Sequence, residues 1–162
     1  MARAASGQPT HPGVKFPPPI LFVAGFAAAW LLDLLVPLRL APGGARHEVE
    51  IGGTVLLVLG LGVVLWGLVT FFRAKTAIIP HYPASRVVSH GPYRFTRNPM
   101  YLGMTLAYAG LSLILNRAWP LLLLPLVLWS LLALVIRREE RYLGHAFGEE
   151  YLAYKRRVRR WI

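Results

Sequence analysis

Twenty-two consecutive residues, Ile51 to Phe72, carry no charged side chain. At 1.5 Å of rise per residue, a helix of that length reaches about 30 Å, the thickness of a bilayer's hydrocarbon core. Its middle, Val55 to Leu65 (VLLVLGLGVVL), is apolar on every face. A helix in a soluble bundle keeps one polar face, so an all-round apolar helix needs lipid or a large core around it. A chain of 162 residues, 56% hydrophobic and only 15% charged, is too small to bury that much apolar surface in a globule. Disorder over most of the chain is excluded as well, because it requires low hydrophobicity.

Three more blocks resemble the first. Ile20 to Leu40 is apolar apart from Asp33, Arg39 and the prolines, while Met100 to Asn116 and Ala118 to Ile136 are uncharged. The expected fold is all-α: an integral membrane helical bundle of about four transmembrane helices over 20–40, 51–72, 100–116 and 118–136. Only Asn116-Arg117 separates the last two blocks, so they form an antiparallel hairpin. Pro120 suits a first helical turn, and Pro125 lies deep enough to kink the helix. Asp33, near Pro37, is assigned to a helix boundary. Residues 1–19, rich in Ser, Gly and Pro, read as a flexible cytosolic lead-in, with 20–162 as one membrane domain. No cleavable signal is expected, because the apolar run begins too late and is too long.

The charge has a topological explanation. There are 18 Lys+Arg against 7 Asp+Glu. An even number of spans puts both termini on one side. That side, with the second loop, holds fifteen of the basic residues, and the other side holds three. The positive-inside rule makes the basic side cytoplasmic. Topology alone thus accounts for the basicity, and no nucleic-acid partner is expected. The chain has no Cys, so thiolate chemistry and disulfides are excluded. His11, His47, His81, His90 and His145 show no metal-ligand spacing, and no metal is expected.

The remaining polar residues fall in two segments on that side: a loop over 73–101 and a tail over 137–162. Leu143, Phe147, Tyr151, Tyr154 and Val158 in the tail lie on one helical stripe with Lys and Arg opposite. The pattern suits an amphipathic helix on the membrane surface or a lid over a site. Glu139 and Glu140 follow directly after an apolar run, where carboxylates need a partner. Either they are neutralised by Arg137, Arg138 and Arg141, or they belong to a site. Tyr93 and Tyr101 offer π faces to a cation or sit in an interfacial aromatic belt. Arg94 and Arg97 suit an anionic head group or simply follow topology.

GPYRFTRNPMYLG (Gly91 to Gly103), then a helical hairpin, then Glu139-Glu140 and FGEEYLAYKRRV (Phe147 to Val158) resemble the isoprenylcysteine carboxyl methyltransferase family. More broadly they are similar to membrane methyltransferases that include phosphatidylethanolamine N-methyltransferases. The similarity runs from about Phe72 to the C-terminus. It implies S-adenosylmethionine (SAM) as methyl donor, S-adenosylhomocysteine as product, a cytoplasmic pocket and a lipophilic acceptor entering from the bilayer.

By the same resemblance, Ser85, Arg86, Val87 and Val88 line the adenosine side and Tyr93 packs on the cofactor. Asn98, Pro99, Met100 and Tyr101 hold its amino-acid end or ribose, and Glu139 binds a cationic or hydroxyl group. Arg94, Arg97 and Glu140 are the candidate catalytic residues. Two positions differ from the family pattern. Asn98 stands where His is common, and Asn cannot titrate as a base. An Arg placed just before the acidic pair in eukaryotic members falls here in the apolar run near Val135. Methyl transfer requires positioning and exclusion of water rather than a covalent nucleophile. Two other classes remain open on the residues: a nicotinamide-dependent membrane reductase of related scaffold, and a non-enzymatic protein whose basic tail binds anionic lipid. The sequence leaves the methyl acceptor and the oligomeric state open.

Overall fold

The computed structural model describes residues 13–14, 17–41, 43–74 and 86–162. Ser85, most of the lead-in and positions 75–84 of the loop lie outside the described residues. Those described contain helices and no strand. The helices are α1 (Pro19–Leu35), α2 (Arg46–Ala74), α3 (Pro99–Ile114), α4 (Trp119–Leu131) and α5 (Arg137–Arg157). Two continuous helical stretches, Gly43–Ala74 and Trp119–Arg157, are long and apolar enough to cross a membrane. α1 and α3 are apolar but shorter, at 17 and 16 residues.

α1 stops five residues before the expected end. Val36 precedes Pro37, which disfavours helical backbone, and it is extended at φ −135° and ψ 92°. The chain then folds back on Asp33, which is buried. One Asp33 oxygen accepts from the Leu38 N–H at 3.1 Å. The other pairs with Arg39 at 3.3 Å and closely with Arg117. The Arg117 guanidinium also lies 4.0 Å over the Trp30 ring.

Beside this cluster, Asn116 holds the α1–α2 connection against the α3–α4 turn. Its Oδ1 accepts from Leu40 N–H (3.1 Å) and Ala41 N–H (2.9 Å), and its Nδ2 donates to the Ala41 carbonyl at 3.0 Å. Its φ of +51° is a conformation in which Asn is enriched over bulkier residues. Replacing Asn116 with alanine strands those backbone groups and strains the turn. The expected loss is on the order of 2–4 kcal/mol, and Asn116→Gly, which keeps the turn, should lose less. Thermal unfolding of the detergent-solubilised protein checks both variants.

α2 packs mainly on α3, and α1 on α4. The α2–α3 seam is built on glycine. Gly53, Gly60 and Gly67 recur every seven residues on α2, and Gly103 and Gly110 do so on α3. A Cβ on Gly60 would stand 2.5 Å from the Gly103 carbonyl oxygen, and one on Gly110 would stand 2.6 Å from that of Gly53. Small residues at a seam bring helix backbones into contact, the device that replaces hydrophobic burial inside a bilayer.

α4 runs without a break into α5 through a π-helical turn, Leu132–Ile136. The extra residue in that turn rotates all that follows relative to a straight α-helix. The span and the first part of the tail, expected as separate elements, thus run on as one helix. The tail's stripe is interrupted at Gly148, whose φ of +49° and ψ of −125° break the helix. Past it, Tyr151 and Tyr154 are buried, whereas Leu143 and Phe147 are only partly so.

Candidate active site

The first motif is shaped by its own punctuation. Gly91 has φ +61°, and a Cβ there would meet Thr70 Oγ1 at 2.7 Å. This glycine is therefore needed both for the turn and for its contact with α2. A 3-10 turn, Gly91–Arg94, follows. Tyr93 packs its ring 5.0 Å from Phe71 and, with Ala74 and Val88, forms a small buried cluster at the end of α2. Pro99 opens α3, where its missing N–H costs nothing. Met100 fills the space beside Gly67, where a Cβ would come within 2.7 Å of Met100 Cγ.

The second motif meets the first at its start. Tyr101 Oη, on the first turn of α3, donates to Glu139 Oε1 on α5 at 2.7 Å. Glu139 is partly accessible, and Tyr101 is buried. Loss of hydration pushes the Glu139 carboxyl up to about 7. The Tyr101 hydrogen bond opposes that rise and the neighbouring Glu140 adds to it.

Glu140 takes the opposite course. Burial alone would raise it, but hydrogen bonds from Arg160 and the charge of Arg97 hold it below the ordinary carboxylate range. Arg160 Nε and Nη2 grip its two oxygens at 2.9 and 2.8 Å, and Arg97 Nη1 lies 3.1 Å away. Neighbouring carboxylates with separated pKa values have separated roles. Glu140 is a fixed anion in an ion-pair network, and Glu139 is the carboxylate with capacity to spare.

Among the described residues, four buried donor atoms make no hydrogen bond: Tyr93 Oη, Tyr108 Oη, and Arg97 Nε and Nη1, the last of which keeps its ion pair with Glu140. Tyr93 Oη and Arg97 Nε lie in the first motif. Burial, with the nearby Tyr154 and Glu139, raises the Tyr93 pKa, so its hydroxyl keeps its proton. Buried polar groups without partners are uncommon in folded proteins and call for a reason.

The structure brings Arg97, Asn98, Tyr101, Glu139 and Glu140 together where α3, α5 and the chain's end meet. It spends the Asn98 amide on the Arg160 carbonyl, 2.9 Å away. Arg94 is exposed with its guanidinium 4.4 Å over the Phe95 ring, apart from the carboxylates. Arg86 is exposed and Val87 is partly so; Val88 is buried. Among the described residues no group of three His, Cys, Asp or Glu converges as metal ligands would. Sequence reasoning missed Arg160, Thr96 and Tyr154. Thr96 Oγ1 donates to the Arg160 carbonyl at 3.0 Å, and Tyr154 Oη donates to that of Tyr93 at 2.7 Å. Arg160 was one basic residue among many in the tail, and composition could not separate it from a topology signal.

Comparison with known proteins points to one family. The phospholipid methyltransferase family matches residues 49–150. Protein-S-isoprenylcysteine O-methyltransferase A of Arabidopsis thaliana is 30% identical over 145 residues, covering 86% of this chain and 74% of that protein. A probable protein-S-isoprenylcysteine O-methyltransferase of Oryza sativa subsp. indica is 32% identical over 108 residues, covering 65% of this chain and 56% of the rice protein. The Saccharomyces cerevisiae enzyme of that name is 38% identical over 72 residues, or 44% of this chain and 30% of its own. No solved structure matches.

Proposed function

The chain belongs to the phospholipid methyltransferase family, and we propose that it is a multi-pass membrane enzyme moving a methyl group from SAM to a lipophilic acceptor at the cytoplasmic face. The observation that carries this reading is the 2.7 Å hydrogen bond from Tyr101 to Glu139, which joins the two motifs of the resemblance in one place.

The residues present suit the cofactor. SAM carries a sulfonium, an α-amino group, a carboxylate and a ribose. Glu139 is a partly accessible carboxylate for a cationic group, with the rings of Tyr93 and Tyr101 as π faces beside it. The unpartnered Tyr93 hydroxyl and Arg97 Nε are donors for a hydroxyl, or for the carboxylate of cofactor or acceptor. Ser85, Arg86, Val87 and Val88 are assigned to the adenosine side, with Asn98, Pro99 and Met100 framing the amino-acid end. When bound, SAM supplies an electrophilic methyl carbon and leaves as S-adenosylhomocysteine. The chain's share is to hold donor and acceptor in line, to keep water out, and to neutralise charge at Glu139. Arg94, exposed at the surface, suits an acidic head group of the acceptor.

In this reading α1 and α3 cross the membrane as well. At about 1.5 Å per residue, α1 and α3 reach roughly 25 Å, which a locally thinned bilayer accommodates. The fifteen-to-three division of Lys and Arg favours cytoplasmic termini, with α5 at the membrane surface. The acceptor then carries an apolar chain: the relatives' names favour an isoprenylated cysteine, and the family's description a phospholipid.

Isothermal titration of the purified protein with SAM tests this. Saturable binding is expected. No binding at millimolar ligand to folded protein would overturn it, and displacement of SAM by NADPH would move the assignment to a reductase.

A further inference from the structure

The last residues of the chain return to the first motif. Arg97 N–H donates to the Arg159 carbonyl at 3.0 Å. The next carbonyl, that of Arg160, accepts from Thr96 Oγ1 (3.0 Å) and from Asn98 Nδ2 (2.9 Å). Thr96 Oγ1 in turn accepts from the Asn98 N–H at 3.2 Å. The Arg160 side chain meanwhile holds both oxygens of Glu140. One residue thus grips the first motif through its backbone and the acidic pair through its guanidinium. It lies beyond residue 150, where the family match ends.

The geometry points to Arg160 as a positioning residue for methyl transfer, acting through Glu140 and Asn98 on the cofactor-facing Glu139 and Tyr101. This rests on the reading of the site as a SAM-dependent one. The physical argument is rotational. Adjacent residues on a helix point about 100° apart. With Glu140 clamped between Arg97 and Arg160, α5 is fixed about its axis, and Glu139 can only face Tyr101. Asn98 sits directly before α3, so fixing its amide fixes the start of the helix that carries Tyr101. The bidentate fork matters here. Two parallel N–H···O bonds set an orientation that a lysine's point charge does not.

The test is SAM binding by isothermal titration to Arg160→Ala and Arg160→Lys, with Arg157→Ala as an exposed control. Both Arg160 variants are expected to keep their helical circular dichroism while their Kd for SAM rises about tenfold, since charge alone does not restore a fork. In a Glu139→Gln background the same substitution should have a smaller effect, because coupled residues are non-additive. A residue that only anchors the tail would lower the unfolding midpoint and leave Kd unchanged. A wild-type Kd in both folded variants, full rescue by lysine, or loss of folding in both would each overturn the proposal. Failure of the wild-type protein to bind SAM would instead overturn the assignment on which it rests.

Discussion

Replacing Glu139 with glutamine is expected to weaken SAM binding by about 10- to 100-fold at pH 8, the worth of a charge-assisted contact of about 1.5–3 kcal/mol. The same change should flatten the pH dependence of binding. In the free protein, burial raises the Glu139 carboxyl to about 7, so near pH 6 it is mostly protonated. A cationic ligand favours the carboxylate. Binding below pH 7 must therefore expel a proton, and affinity should fall by up to about tenfold per pH unit as the solution is acidified. Above pH 7 it should level off. For folding the sign reverses. A raised carboxyl pKa means the folded chain holds a proton the unfolded chain has lost. The contribution is full below the ordinary pKa of 4.5 and is lost as pH rises through about 7. Titrations between pH 5.5 and 8.5 decide the matter. Native binding that does not change with pH, or a glutamine variant that binds as the native protein does, would remove Glu139 from the cofactor's cationic end.

The apolar skeleton was legible because lipid leaves an unmistakable mark. Apolar runs located the two helical stretches long enough to cross a membrane and the two shorter apolar helices, α1 and α3, and Pro99 and Pro120 marked the starts of α3 and α4. What the runs could not give was the tertiary turn that follows α1. Pro37 stops the helix at Leu35, and the chain then turns back to satisfy Asp33, with partners at Leu38, Arg39 and, far along the chain, Arg117. The Tyr101–Glu139 contact was implied only by the order of two motifs. The fate of Glu140 was not implied at all. Among the described residues, the basic residues nearest it in sequence, Arg137, Arg138 and Arg141, make no salt bridge to it; its partners are Arg97 and Arg160. Topology biases every arginine in the tail alike, so the one that holds the site carries no compositional signature. Gly148 was equally silent, since a helical stripe looks the same whether or not one glycine breaks it.

Gly60→Leu is expected to abolish folded protein, whereas Gly62→Leu, two residues away on the same helix, should be neutral or slightly stabilising. The contrast lies in what a side chain would meet. At Gly60 even a Cβ would stand 2.5 Å from the Gly103 carbonyl oxygen and 2.6 Å from the Ala107 nitrogen, while at Gly62 nothing lies within 4 Å. Backbone cannot step aside as a flexible side chain can, so the helices must part. Overpacking costs typically about 1–3 kcal/mol even when side chains can move, and more is expected here. At Gly62 the only change is helix propensity, about 0.8–1 kcal/mol in favour of losing glycine. Gly67 lies between these extremes. A Cβ there would press on Met100 Cγ at 2.7 Å and would lie 3.6 Å from Tyr93 Oη. Gly67→Ala should therefore unfold the protein little and weaken SAM binding more, because the seam that sets the helix spacing ends at the site. Midpoints from thermal unfolding in detergent, set beside SAM titrations, test the whole series. Equal stability of Gly60→Leu and Gly62→Leu would show that the two helices tolerate separation and that the glycine seam does not set their distance.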